Sequence, residues 1–185
     1  MTTTETTLLT ADELLRLSAR GVRGELIRGV LYETMPAGEL HGKIVMRLGG
    51  ALFGFVEPRG LGTLVASDSG VWLARDPDTV REPDIAFTSV QRLPLDAWNT
   101  GYSEVVPDLV VEVVSPSDSP RELHDKARMW LSHGVRLVWV VHPATRTVDA
   151  HSAGGAIVTL AENEALDGGD VLPGFSCPVK AVFGA

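Results

Sequence analysis

Cysteine is all but absent: Cys177 stands alone among 185 residues. A single thiol rules out an internal disulfide framework and any cysteine-cluster metal centre, and it fits a reducing, cytoplasmic setting. Long hydrophobic runs are missing too. No stretch approaches the roughly 18 uninterrupted apolar residues of a bilayer-spanning helix. The opening MTTTETTLLT has neither a basic head nor an apolar signal core, so export is not expected. Its polar, threonine-rich residues 1–7 are expected to fray. Positive charge is scarce, with 16 Lys and Arg against 24 Asp and Glu, a net charge of −8. That balance argues against a broad nonspecific nucleic-acid surface, which relies on lysine and arginine to meet phosphates. It leaves room for a small basic groove around a metal, because a bound cation reverses the local electrostatics. RLGGALFG and SAGGAI lack the pattern and context of a phosphate loop, and no serine sits in a nucleophile elbow. Internal repeats and low-complexity tracts are absent as well.

What remains is a chain with 44% hydrophobic residues, the right length for one compact domain over residues 1–185. TADELLRL signals a short helix, with Thr10 as N-cap and Glu13 as its capping-box partner. ELIRGVLYE reads as a hairpin turning at Arg28-Gly29 and carrying Glu25 and Glu33. Ile44, Leu48, Ala51, Leu52 and Phe55 fall on one helical face, which predicts a helix from about His41 to Val56, interrupted or kinked at Gly49 and Gly50. GTLVASD, GVWLA, REPDIAFTS and PDLVVEVVS follow as strands, and QRLPLDAWNTGYSEVV as an irregular excursion, a candidate flap. SPRELHDKARMWLSHG is a second helix, with Ser119 as N-cap, Pro120 at its first position, Glu122 completing the box and Gly134 closing it. VRLVWVVHP and TRTVDAHS are strands, and the last third reads as short strands and turns. LVVEVV and RLVWVV are apolar on both alternating sets, as in strands covered on both faces. The fold class is α/β (α+β), a central sheet flanked by helices.

One residue breaks the pattern. Glu112 shares a strand face with Val110 and Val114. An unpaired carboxylate buried there costs several kcal/mol, so it must be neutral or matched by a cation. Asp84, in REPDIAF, poses the same problem on a neighbouring strand. Lys126 lies at the edge of the apolar stripe formed by Leu123, Ala127, Trp130 and Leu131, from where its methylenes can run along the sheet toward both acids. Two readings fit these residues. Either Asp84 and Glu112 form a hard-oxygen site for Mg²⁺ or Mn²⁺, or Glu112 and Lys126 form a structural ion pair while Asp84 accepts backbone hydrogen bonds.

GELIRGVLYE, HGKIV, EPDIAF, PDLVVEVVSPSD, KARMWLSHGV, VWVVHP and DVLPGFSCPV, in this order and spacing, resemble the bacterial putative restriction endonuclease family, a branch of the PD-(D/E)XK phosphodiesterase superfamily. The resemblance covers nearly the whole chain and rests on many individually weak motifs. It implies a restriction-endonuclease-like core, helix–three strands–helix–strand, with a mixed sheet and a divalent-metal site. It also implies that Asp84 and Glu112 are metal ligands, joined by the backbone carbonyl of Val113, with Glu25 completing the shell. The motif's lysine position holds Val114, and Lys126 matches family members that take their lysine from the next helix. Arg28 and His142 stand where related sequences usually have Asp, and Trp130 where Tyr is common.

The resemblance implies a metal-dependent endonuclease acting on nucleic acid, DNA by preference, and working as a homodimer. The alternative is a nuclease fold kept as a binding or regulatory module without turnover, favoured by the acidic charge and the missing in-strand lysine. His41 and Glu82 are candidates for the rim of the site, each with a structural reading beside it. Trp98, in the excursion, could stack on a base. His133, in the last helical turn, is explained by the helix dipole.

Overall fold

The computed structural model describes residues 8–115 and 118–184; the fraying expected over residues 1–7 lies outside them. Local chemistry sets the first elements. Thr10 caps α1 (Ala11–Ser18) in a complete capping box with Glu13. The strands β1 (Gly24–Ile27) and β2 (Val30–Glu33) join through Arg28 and Gly29. Both turn residues have positive φ, 52° and 77°, the left-handed pair that matches strand twist in a two-residue hairpin.

Helix α2 (Glu39–Val56) begins two residues earlier than the apolar spacing indicates and runs unbroken through Gly49 and Gly50. Glycine costs helix propensity but does not break a helix whose other face is anchored. Ile44, Leu48, Leu52 and Val56 supply that anchor, all buried. A single 3₁₀ turn, Glu57–Arg59, ends the element at Gly60.

The strands then divide between sheets in a way that alternation does not announce. β3 (Gly62–Ala66), β6 (Ile85–Ser89), β7 (Leu109–Val113), β8 (Leu137–His142), β9 (Thr147–Ser152) and β10 (Ile157–Leu160) form the central sheet, in the order β10-β9-β8-β7-β6-β3. β4 (Val71–Ala74) and β5 (Thr79–Arg81) leave it to join the first hairpin in a second sheet, β2-β1-β5-β4. REPDIAFTS is therefore not one strand. Pro83 has no N–H to give to a ladder, and Glu82, Pro83 and Asp84 form the break between β5 and β6, in different sheets.

The central sheet is mixed: β7 and β8 run parallel and the other neighbours antiparallel. A parallel pair needs a crossover, and α3 (Pro120–Ser132) supplies it, with Ser119 and Glu122 in a full capping box and Gly134 at φ 98° beyond its end. All five residues of β7 are buried. On one side Leu109, Val111 and Val113 pack with α2, Trp139 and the C-terminal segment, and on the other Val110 packs with Ala86, Ala127, Trp130 and Val138. The closing residues form β11 (Ala165–Asp167), β12 (Ser176–Pro178) and a short helix α4 (Val179–Phe183). Sequence reading misses α4 because five residues carry barely one helical period.

The 91–106 excursion is irregular but tethered. Ser103 bridges Val71 on β4, and Arg92 donates to the Val106 carbonyl at 2.9 Å. Gly70 makes room for it: a Cβ there would lie 2.3 Å from the Tyr102 ring. Among the described residues no helix is long and apolar enough to cross a membrane.

Burial on α2 sets a direct test. Leu48→Ala, at a sealed position, should cost about 3 kcal/mol, and Met46→Ala, at 74% exposure, no more than about 0.5 kcal/mol, in urea unfolding. Equal losses would mean that α2 does not pack as described.

Candidate active site

β6 and β7 pair with Ile85 opposite Val111 and Ala86 opposite Val110. The paired residues end at Ile85, and Asp84 lies just before β6. Where the ladder ends, the Asp84 side chain takes over: its Oδ2 accepts the Val113 N–H at 2.6 Å. The same oxygen lies 3.1 Å from His41 Nε2, on the first turn of α2.

Glu112 is 5% exposed and both of its oxygens are engaged. Oε1 accepts the Trp130 indole N–H at 2.7 Å, and Oε2 meets Lys126 Nζ at 2.7 Å. Both donors come from α3, four residues apart and so on one face of the helix. The second sheet closes on the same lysine. Glu25 Oε1, on β1, lies 3.8 Å from Lys126 Nζ, 3.2 Å from Arg81 Nε, and accepts the Glu82 N–H at 2.9 Å.

Negative charge is in excess here. Glu25, Glu82, Asp84 and Glu112 surround Lys126 and Arg81, and the carboxyls respond. Burial pushes the Glu112 carboxyl above its ordinary value, and Asp84 and Glu25 push it further, against the pull of Lys126. Burial and the Glu25 charge raise Glu82 to about 7. Burial opposes the Lys126 charge, but Glu112 and Glu25 outweigh it and hold the ammonium above its usual pKa. The hydrogen bond with Asp84 raises His41. A divalent cation fits such a centre, since it would relieve repulsion that protons otherwise relieve. Among the described residues no three His, Cys, Asp or Glu side chains converge on one point able to hold an ion.

The seven residues singled out as ligands, catalysts or rim, Asp84, Glu112, Lys126, Glu25, Val113, His41 and Glu82, lie in or beside this cluster with different occupations, whereas Trp98 is 94% exposed on the 91–106 excursion. Asp84, Glu112, Lys126 and Glu25 are linked by the contacts above; Val113 contributes its N–H to Asp84. His41 joins through Asp84, and Glu82 through its N–H to Glu25, in the interstrand break rather than on a strand face. The contacts of the structural reading, the Glu112–Lys126 pair and an Asp84–backbone bond, are all present. Sequence reasoning missed the Trp130 donor and the Arg81 partner. Trp130 lies one turn after Lys126, so its N–H could have been aimed at Glu112 from spacing alone. Arg81 gave no such sign, because its strand changes sheet.

A model of the Uma2 family, described as putative restriction endonuclease, matches residues 11–180. The fold is similar to the crystal structure of a putative nuclease belonging to DUF820 from Anabaena variabilis, at a TM-score of 0.78 and 20% identity, covering 95% of this chain and 97% of that one. No curated protein matches the sequence.

Removing one partner of the buried pair has a calculable cost. Lys126→Met should lower stability by about 2–4 kcal/mol by leaving Glu112 without its cation. Glu112→Gln in the same chain should recover most of the loss, since Gln still accepts from Trp130. Urea unfolding of the single and double variants checks this; a double variant no more stable than the single one would place the loss elsewhere.

Proposed function

Because this chain belongs to the Uma2 putative restriction endonuclease family, we propose that it is a divalent-metal-dependent endonuclease hydrolysing phosphodiester bonds of nucleic acid, DNA by preference. The observation that carries the reading is a meeting of three elements: Asp84 accepts the Val113 N–H next to the buried Glu112, and Glu112 pairs with Lys126, in a centre with more carboxylates than cations.

In this reading Asp84 and Glu112 hold Mg²⁺ or Mn²⁺, with the Val113 carbonyl as a further ligand. When bound, the ion supplies a polarised phosphoryl oxygen and a water of lowered pKa. The protein supplies the rest. Trp130 and Lys126 fix the Glu112 carboxylate, and His41 and the Val113 N–H fix Asp84. Lys126 keeps a quarter of its side-chain surface open, so its ammonium can turn from Glu112 toward charge developing on the phosphate. Glu25, shared between Arg81 and Lys126, holds that ammonium at the site, and Glu82 lies behind it. A homodimer would present two such centres to two strands.

The second reading, a nuclease fold that binds without turnover, draws on two observations. Val114 occupies the position of the in-strand lysine, and the net charge is −8.

Calorimetric titration with Mn²⁺ separates the two, paired with a cleavage assay. Wild type should bind the ion and cut an oligonucleotide. Glu112→Gln and Asp84→Asn should each lose binding and lower cleavage by on the order of 10²-fold or more, with circular dichroism unchanged. Ion binding without cleavage favours the binding module, and wild-type cleavage by either variant removes that residue from the mechanism.

A further inference from the structure

A cavity of about 330 Å³ opens between the first turn of α3 and strands β7, β8 and β9, lined by Val114, Asp118, Leu123, His124, Val140, His142, Asp149 and His151. It adjoins the acidic centre. Val140 is the β8 partner of Glu112, and Val114 lies two residues beyond Glu112, about 7 Å along the strand at 3.3 Å per residue. The functional reading above uses none of its polar groups.

Its chemistry excludes the simpler occupants. No lysine or arginine lines it, and two carboxylates do, so a phosphate would be repelled. Its histidines and acids do not converge to hold a metal. What it offers is an apolar floor of Val114, Leu123 and Val140 under imidazole walls. The His124 and His151 rings lie 6.2 Å apart, and His151, only 5% exposed, has no hydrogen bond to any described side chain. Burial lowers the His151 pKa, with His124 and His142 adding to it against Asp149, which favours the neutral ring. The carboxylates are fixed in place. Asp149 is held by His142 at 2.9 Å and Thr159 at 2.6 Å, and Asp118 accepts the Ser115 N–H at 2.8 Å. Each keeps lone pairs for further donors.

An open imidazole at the rim, His124, and fixed acceptors are groups a splayed base meets in single-strand recognition, and a carboxylate accepts from an exocyclic amine. We propose that this cavity takes one unstacked, amino-bearing nucleobase of the substrate, so that cleavage is directed to single-stranded or locally opened nucleic acid. The proposal deepens the nuclease reading and rests on it for its setting, but base binding can be tested without metal or turnover.

The first arm titrates the full chain, metal-free, with deoxycytidine, deoxyadenosine and thymidine while following the imidazole NMR signals. His124, His142 and His151 should respond to the first two nucleosides, with at least about 5-fold weaker binding of thymidine, which lacks the amine. Leu123→Trp, which fills the cavity, should remove the response, and the surface variant His124→Ala should weaken it. No response, or an equal response to all three, overturns the proposal. The second arm measures Mn²⁺-dependent cleavage of a single strand and of its duplex. The single strand should be cut at least about 10-fold faster, and His124→Ala should reduce that preference. Equal rates, or a preference untouched by His124→Ala, overturn the base pocket and leave the nuclease reading standing. A selective imidazole response with no cleavage of either substrate supports the pocket and overturns the nuclease reading.

Discussion

A carboxylate at the centre of a buried strand is the constraint that the rest of this molecule answers. Glu112 is tolerated because α3 delivers an ammonium and an indole N–H to its two oxygens, from positions one helical turn apart. That delivery depends on α3 lying in one place. Its start is fixed by the Ser119–Glu122 capping box, its end by the positive-φ Gly134, and its buried side by Ala127 and Trp130 against Val110, Val138 and Val140. Trp130 thus serves packing and charge together: its ring fills the layer under α3 and its N–H holds the acid. An indole in that role is a rigid donor, since the core that buries it also fixes its direction.

The second sheet ties a further acid and a further base to the cluster. Without it, Glu112 and Lys126 would be a plain buried pair. The β1–β2 hairpin and the β4–β5 excursion bring Glu25 and Arg81 against the same lysine, and the break at Glu82-Pro83-Asp84 puts two further acids at the edge. Lys126 is therefore shared between two carboxylates, and Glu82 and Glu112 both sit above the usual carboxylate range. A structural ion pair needs no such excess. In the metal-dependent reading proposed above, that excess is what a divalent cation would relieve.

The acidic surface and the acidic centre pose one problem at two scales. A chain of net charge −8 gains little from phosphate contacts, so in the proposed nuclease reading the hold on a polyanion would come from elsewhere. Stacking and base-edge hydrogen bonds are the alternatives that do not depend on net charge, and the imidazole-walled cavity beside Glu112 offers both kinds of group.

The sequence alone determined the local elements and the existence of the problem. Capping boxes at Thr10 and Ser119, the Arg28-Gly29 turn and the doubly apolar strands are short-range signals, carried by residues a few positions apart, and all appear in the fold. Glu112 among valines announced a buried charge, and the position of Lys126 on its helix named the partner. Only the tertiary structure decided which sheet each strand joined. GVWLA reads like a core strand and the residues of β5 gave no strand signal of their own, but β5 pairs with β1 and β4 with β5, a choice made across dozens of residues of separation. The parts of the cluster owed to that choice, Arg81 against Glu25 and the shared hold on Lys126, left no local trace. The cavity of His124, His142 and His151 is of the same kind. Its histidines come from one helix and two strands, and become neighbours only because β7 and β8 run parallel beneath α3.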